Sequence, residues 1–139
     1  MIKMGKLHHV SVVVNDLEAS RRFYVDVLGM EQVHRPKPFD FKGQWFRINQ
    51  SYEVHTIHTS DATASSGDPQ NTPRPGRDLT FSRHICFSVS NVKEVLQTLQ
   101  QNDVEIAEGP RDRGDGATQI YLYDPDGHLI ELVYEPWDW

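Results

Sequence analysis

At 139 residues, with 37% hydrophobic and 24% charged positions, the chain is sized for one compact domain that needs neither a disulfide nor a structural metal to hold it together. Fourteen Lys and Arg against twenty Asp and Glu give a net charge of -6, which argues against a charge-driven grip on nucleic acid. The longest apolar run, Ile120–Tyr123, falls far short of the ~20 residues that cross a bilayer, and the single Cys86 excludes an intrachain disulfide.

Met1–Gly5 carries lysines but leads into His8 and His9 rather than into an apolar core, so no secretory leader and a cytoplasmic location are expected. From there two segments share a grammar. His9-Val10-Ser11-Val12-Val13-Val14 and His84-Ile85-Cys86-Phe87-Ser88-Val89 each open a strand on a histidine, and a helix-capping residue, Asp16 or Asn91, stands seven positions after it. After Asp16, Leu17, Tyr24, Val27 and Leu28 mark one side of a helix of about three turns that Gly29 can end. Short strands are expected over 44–49 and 52–58. The polar stretch 60–78, rich in Pro, Gly and Ser, reads as a linker. After Asn91, Val92, Val95, Leu96 and Leu99 keep helical spacing, and Glu94 occupies the capping-box position. Strands over 116–123 and 128–134 follow, joined by the turn Asp124-Pro125-Asp126-Gly127.

Each half therefore reads as strand, helix, then two or three strands, an α+β domain spanning 1–139 with modules at about 5–59 and 79–135. Strand parity places Val10, Val12 and Val14 toward the helix and His9, Ser11 and Val13 on the other face. Ile85, Phe87 and Val89 play the same part in the second half, leaving His84, Cys86 and Ser88 opposite. In the final strands His55 and Glu131 take the non-helix face, and the offset from His9 to His55 differs by one residue from that between His84 and Glu131. If the modules pack with pseudo-two-fold symmetry into a cupped mixed sheet, helices outside, then His9, His55, His84 and Glu131 converge. Three imidazoles and a carboxylate form a site for Zn, Fe(II), Ni, Co or Mn. A lone strand histidine is more often a packing or surface residue; four ligand types at symmetric places carry the weight here. His8, His34, His58 and His128 are read as structural or solvated.

Leu7-His8-His9-Val10-Ser11-Val12, Asp16-Leu17-Glu18-Ala19-Ser20, Phe23-Tyr24 with Leu28-Gly29, and Asp124-Pro125-Asp126-Gly127-His128 with Glu131 together resemble the vicinal oxygen chelate superfamily of glyoxalase I, bleomycin resistance proteins and extradiol dioxygenases. The resemblance spans almost the whole chain and is closest to the glyoxalase-like members. It implies two βαβββ modules around a divalent metal held by His9, His84 and Glu131, with His55 at a fourth place where glyoxalases usually carry a carboxylate or amide. It also implies a lyase or isomerase acting on a small carbonyl substrate that chelates through adjacent oxygens, with Glu131 moving the proton.

Two alternatives stand beside it. His9, His84 and Glu131 with Tyr121 also match the ring-cleaving dioxygenases, although 111–119 lacks the histidine of their signature. A non-catalytic antibiotic binder is disfavoured because all four ligand types are present. Fosfomycin thiol transferases carry an arginine beyond the glutamate, and nothing basic follows Glu131. Substrate contacts are expected from Ser11 and Tyr121 by parity, and from Phe39, Phe41, Trp45 and Arg47 in a segment able to close over the cup; for Phe41 and Trp45 ordinary core packing is the favoured alternative. Arg113 either binds an anionic substrate or sits in a solvated turn. A homodimer is expected, since each half leaves sheet edges to be covered.

Overall fold

The computed structural model describes residues 1–36, 41–59 and 79–138, the Phe81 side chain excepted. Phe39 and the whole of the stretch 60–78 lie outside the described residues. The chain divides into two compact units, Met1–Gly67 and Asp68–Trp139.

In the first unit β1 (His9–Val14) is followed by α1 (Leu17–Arg21), β2 (Glu31–Val33), β3 (Gly43–Ile48) and β4 (Tyr52–His58). The sheet order is β1-β4-β3-β2, with β1 parallel to β4 and the other pairs antiparallel. Alternation decides the faces of β1: Val12 and Val14 are buried while His9 and Ser11 stay exposed. Asp16 starts α1 by accepting the backbone N–H groups of Glu18 and Ala19 at 2.9 and 3.0 Å. The expected three-turn helix is only partly α-helical. From Arg22 to Val27 it winds as a π-helix, with the Leu28 N–H reaching back to the Phe23 carbonyl at 3.0 Å. The wider turn lets the adjacent Phe23 and Tyr24 both turn inward, and the Tyr24 ring stacks on Phe46 of β3 at 5.3 Å between centroids. Gly29, at φ +73°, ends the helix as its left-handed residue.

The second unit repeats this plan. A 3-10 turn (Leu79–Phe81) precedes β5 (Ile85–Ser88), α2 (Val92–Gln101), β6 (Ile106–Asp112), β7 (Thr118–Tyr123) and β8 (Leu129–Tyr134). The sheet order β5-β8-β7-β6, with β5 parallel to β8, reproduces that of the first unit. Asn91 caps α2, accepting the Glu94 N–H while its own amide donates to the Glu94 carboxylate, both at 3.2 Å. The helix buries Leu99, and Ile120, Leu122, Ile130 and Leu132 form the buried inner face of β7 and β8. Architecture is thus α+β, two βαβββ modules each with a four-stranded mixed sheet.

Two strands escape the sequence pattern. β2 is three residues long and includes two polar ones, too short for any period to register. β6 contains Gly109-Pro110 and two register shifts against β7. Proline is tolerated there because β6 is the edge strand. Gly109 is required twice over: its φ is +97°, and a Cβ would lie 2.5 Å from the Gln119 carbonyl oxygen.

Candidate metal-binding residues

In the first unit the face of the sheet away from α1 carries His9 and Ser11 from β1, Trp45 and Arg47 from β3, and Glu53 and His55 from β4. The register pairs Ser11 with His55 and His55 with Trp45, which brings these side chains together. The His55 ring is sandwiched, with Trp45 on one side and His9 on the other, each 4.1 Å away and nearly parallel. In its plane, His55 Nε2 lies 2.6 Å from Glu53 Oε2, while Arg47 donates to Glu53 Oε1 at 2.7 Å. Burial works to raise the Glu53 pKa, but the hydrogen bonds from His55 and Arg47 outweigh it and hold the carboxyl below its usual range. An ionised carboxylate only accepts, so His55 Nε2 carries a proton, and Nδ1 is the ring nitrogen not bonded to Glu53. His9 is held below the ordinary imidazole pKa, first by its slight burial and then by the neighbouring His55 and His8, which favours the neutral form that binds cations.

In the second unit the face away from α2 carries Cys86, Glu131, Tyr121 and Gln119, with His84 just ahead of β5. His84 Nδ1 lies 2.8 Å from the Ser82 carbonyl oxygen, which can only accept; Nδ1 therefore bears the hydrogen. His84 Nε2 faces Glu131 Oε2 at 2.8 Å. Two electron-rich atoms at that distance require a positive charge between them, either a proton or a cation. Glu131 itself is buried, and Gln119 Nε2 donates to its Oε1 at 2.8 Å and also reaches the Tyr121 hydroxyl at 3.2 Å. The Tyr121 hydroxyl also bonds Thr80 Oγ1 at 3.2 Å, and its ring, fully buried, packs with Leu79 and Leu129. Desolvation first of all raises the Tyr121 pKa and keeps the phenol protonated. Arg111 lies over that ring, contacts Thr80 and Glu108, and donates from Nε to Gln119 Oε1 at 3.3 Å. Cys86 pairs with Glu131 across β5 and β8; the residue is exposed, yet burial of its sulfur and then the adjoining carboxylate push the thiol up to about 12.

Among the described residues of either unit, no three His, Cys, Asp or Glu side chains group to hold a metal ion; each unit brings together a donor pair, His9 with His55 and His84 with Glu131. Of the expected substrate contacts, Ser11, Trp45, Arg47 and Tyr121 stand beside these pairs. Phe41 is exposed just before β3, under the Arg35 guanidinium at 4.4 Å. Arg113 is tied to Asp115 and Glu135 in the turn between β6 and β7.

Residues 6–132 match the family model of the Glyoxalase/Bleomycin resistance protein/Dioxygenase superfamily. The chain belongs to that superfamily. It is similar to Glyoxylase I 4 of Arabidopsis thaliana, 24% identical over 132 residues that cover 94% of this chain and 71% of that protein. It is 30% identical over 137 residues to the metallothiol transferase FosB of Staphylococcus epidermidis, covering 94% of this chain and 82% of that one. The crystal structure of a glyoxalase/dioxygenase from Nostoc punctiforme aligns with a TM-score of 0.75 at 26% identity, over 94% of this chain and 91% of that one. The superfamily includes metal-dependent enzymes, and one fold serving such different reactions leaves the chemistry to be argued from side chains.

Sequence reasoning missed four polar residues around the two donor pairs of this superfamily member: Glu53, Thr80, Arg111 and Gln119. Parity had the information for two of them. Glu53 is two residues from His55 and Gln119 two from Tyr121, so each shares its neighbour's face. Thr80 and Arg111 carried no such signal, since a 3-10 turn and a bulged strand have no regular alternation.

Proposed function

We propose that this protein is a metal-dependent enzyme of the glyoxalase type, with His9, His55, His84 and Glu131 as ligands of a divalent first-row cation. The observation that carries it is the His84–Glu131 contact: a histidine whose Nδ1–H is spent on the Ser82 carbonyl sets its Nε2 2.8 Å from an oxygen of a buried carboxylate, where a cation could take the place of a shared proton. His55, held by Glu53, would offer Nδ1. Three nitrogens and a carboxylate oxygen are a donor set that Zn, Ni, Co, Fe and Mn all accept, so the residues present fit such a group.

When bound, the cation supplies Lewis acidity for negative charge developing on an oxygen beside the reacting carbon. The chain's own residues do the rest. Glu131 Oε2, the oxygen not taken by Gln119 and the one that would leave the cation for this step, removes the proton from the carbon next to the carbonyl and returns it to the neighbouring carbon; inversion at the same carbon would need a proton from a second group on the opposite face. Tyr121, kept protonated, donates rather than removes a proton, and Trp45 and Ser11 supply the wall against which a small substrate lies. Elemental analysis of the purified protein and turnover of hemithioacetals and acyl-CoA epimers by the metal-loaded protein test this. Absence of copurified metal together with no turnover across both substrate classes would sink it.

One observation supports a second reading. His55 is clamped between two rings and bonded to Glu53, so its commitment within its own unit leaves His9, His84 and Glu131 as a two-histidine, one-carboxylate set with open positions, as ring-cleaving oxygen chemistry requires. Oxygen uptake with catechols by the iron-loaded protein would favour that reading over the first.

A further inference from the structure

The amide of Gln119 stands between two groups that permit it only one orientation. Arg111 is a donor at every nitrogen, so the atom of Gln119 that faces Arg111 Nε at 3.3 Å has to be the carbonyl Oε1. That leaves Nε2 pointing at Glu131 Oε1, 2.8 Å away. With the amide reversed, the carbonyl would meet the carboxylate and the NH2 would meet the guanidinium, two repulsive contacts in place of two hydrogen bonds. Arg111 is itself held by Glu108 and Thr80 and lies over the Tyr121 ring, so the chain of contacts begins from a fixed point.

Consequences follow for the carboxylate. Glu131 is buried, and its two oxygens are not equivalent: Oε1 receives a neutral N–H, while Oε2 faces His84 Nε2. The N–H donor on Oε1, together with the Cys86 and Tyr121 contacts to the same carboxylate, fixes the plane of the group and leaves Oε2 as the oxygen turned toward His84. We propose that Gln119 is a positioning residue that makes Glu131 a one-oxygen ligand through Oε2, and that Arg111 sets Gln119 in the required orientation. The proposal rests on the metal-site reading above. It goes beyond it in assigning a task to two residues that bind neither cation nor substrate, and in naming the oxygen that ligates.

The test is Co(II) titration of the metal-free full chain, followed by the visible absorption of the bound ion, whose intensity reports coordination number. Gln119→Met keeps the length and loses the donor; Gln119→Glu keeps an acceptor for Arg111 and loses the donor toward Glu131. Both are expected to weaken Co(II) binding by roughly 10- to 100-fold and to change the band intensity as the carboxylate turns to offer both oxygens. Arg111→Met, which frees the amide to turn over, is expected to shift both readouts in the same direction and serves should either Gln119 variant fail to fold. Leu99→Ala is the control for a merely structural effect: it lowers the melting temperature and leaves Co(II) affinity and spectrum as they were. Wild-type affinity and spectrum in the folded variants would overturn the role of Gln119 while leaving the metal site standing. A wild-type chain that takes up no Co(II) would overturn both.

Discussion

A thiol beside a carboxylate gives the second unit its own reporter. Cys86 is exposed as a residue while its sulfur is desolvated, and that burial and then Glu131 push the thiol up to about 12 and keep it unreactive. Labelling with iodoacetamide at about pH 8 is therefore expected to be much slower in the folded protein than in urea, and faster in Glu131→Gln; equal rates in all three would show that Glu131 does not act on the sulfur. The linkage has a definite sign. The folded state holds this proton more tightly than an unfolded thiol at 9.0, so stability falls as pH rises from that value toward about 12. Glu53 titrates in the opposite sense. Its folded pKa lies below the ordinary glutamate value, so its contribution is present above that ordinary value and is lost as pH falls through the folded one. The drop in urea midpoint between about pH 7 and about pH 3 should thus be smaller in Glu53→Gln than in wild type. Identical drops would mean that the His55 and Arg47 hydrogen bonds leave no net effect on that carboxyl.

Elements differ in how openly the sequence announces them, and the difference is physical. β1, α2, β7 and β8 are built on regular alternation or regular helical spacing, with Asn91 and the Asp124–Gly127 turn as punctuation, and their positions follow from those patterns to within two residues or so. The π-helical turn after Arg21 leaves no such mark, because its cause is tertiary: Phe23 and Tyr24 both turn inward, and α-helical spacing cannot put two adjacent aromatics on one narrow stripe. The histidines and Glu131 were legible because ligand residue types at matching offsets stand out, whereas Gln119 and Glu53 are ordinary polar residues that acquire meaning only once their hydrogen-bond partners are known. β3 carries a prediction at this scale. A Cβ on Gly43 would lie 2.2 Å from the Thr56 carbonyl oxygen in the paired strand β4, a backbone atom that cannot swing aside. Gly43→Ala should therefore destabilise the protein by roughly 1–3 kcal/mol as the strands part at that end, read as a lower urea midpoint. A neutral result would place the backbone of β3 farther from β4 than the geometry puts it.

At the scale of the whole molecule, two units with the same strand order each bring a donor pair, and neither pair alone makes a four-ligand centre. That division turns the proposed ligand set into a statement about cooperativity. A ligand that binds only the native state stabilises it by RT ln(1 + [L]/Kd), about 2.7 kcal/mol at a hundredfold excess over Kd. If the cation takes ligands from both units, that stabilisation reaches the amides of α2 and β7 as well as those of β1 and β4, and it depends on residues in either unit. Hydrogen exchange read amide by amide distinguishes this from binding by one pair. Zn(II) is expected to slow exchange in both units of the wild-type protein, and His9→Ala, a change confined to the first, is expected to abolish the slowing around Leu99, Ile120 and Leu122 in the second. Persistence of the Zn(II) effect there in His9→Ala would mean that His84 and Glu131 hold the ion without help from His9 and His55, and the four-residue ligand set would have to be given up in favour of a site built by the second unit with water completing the coordination.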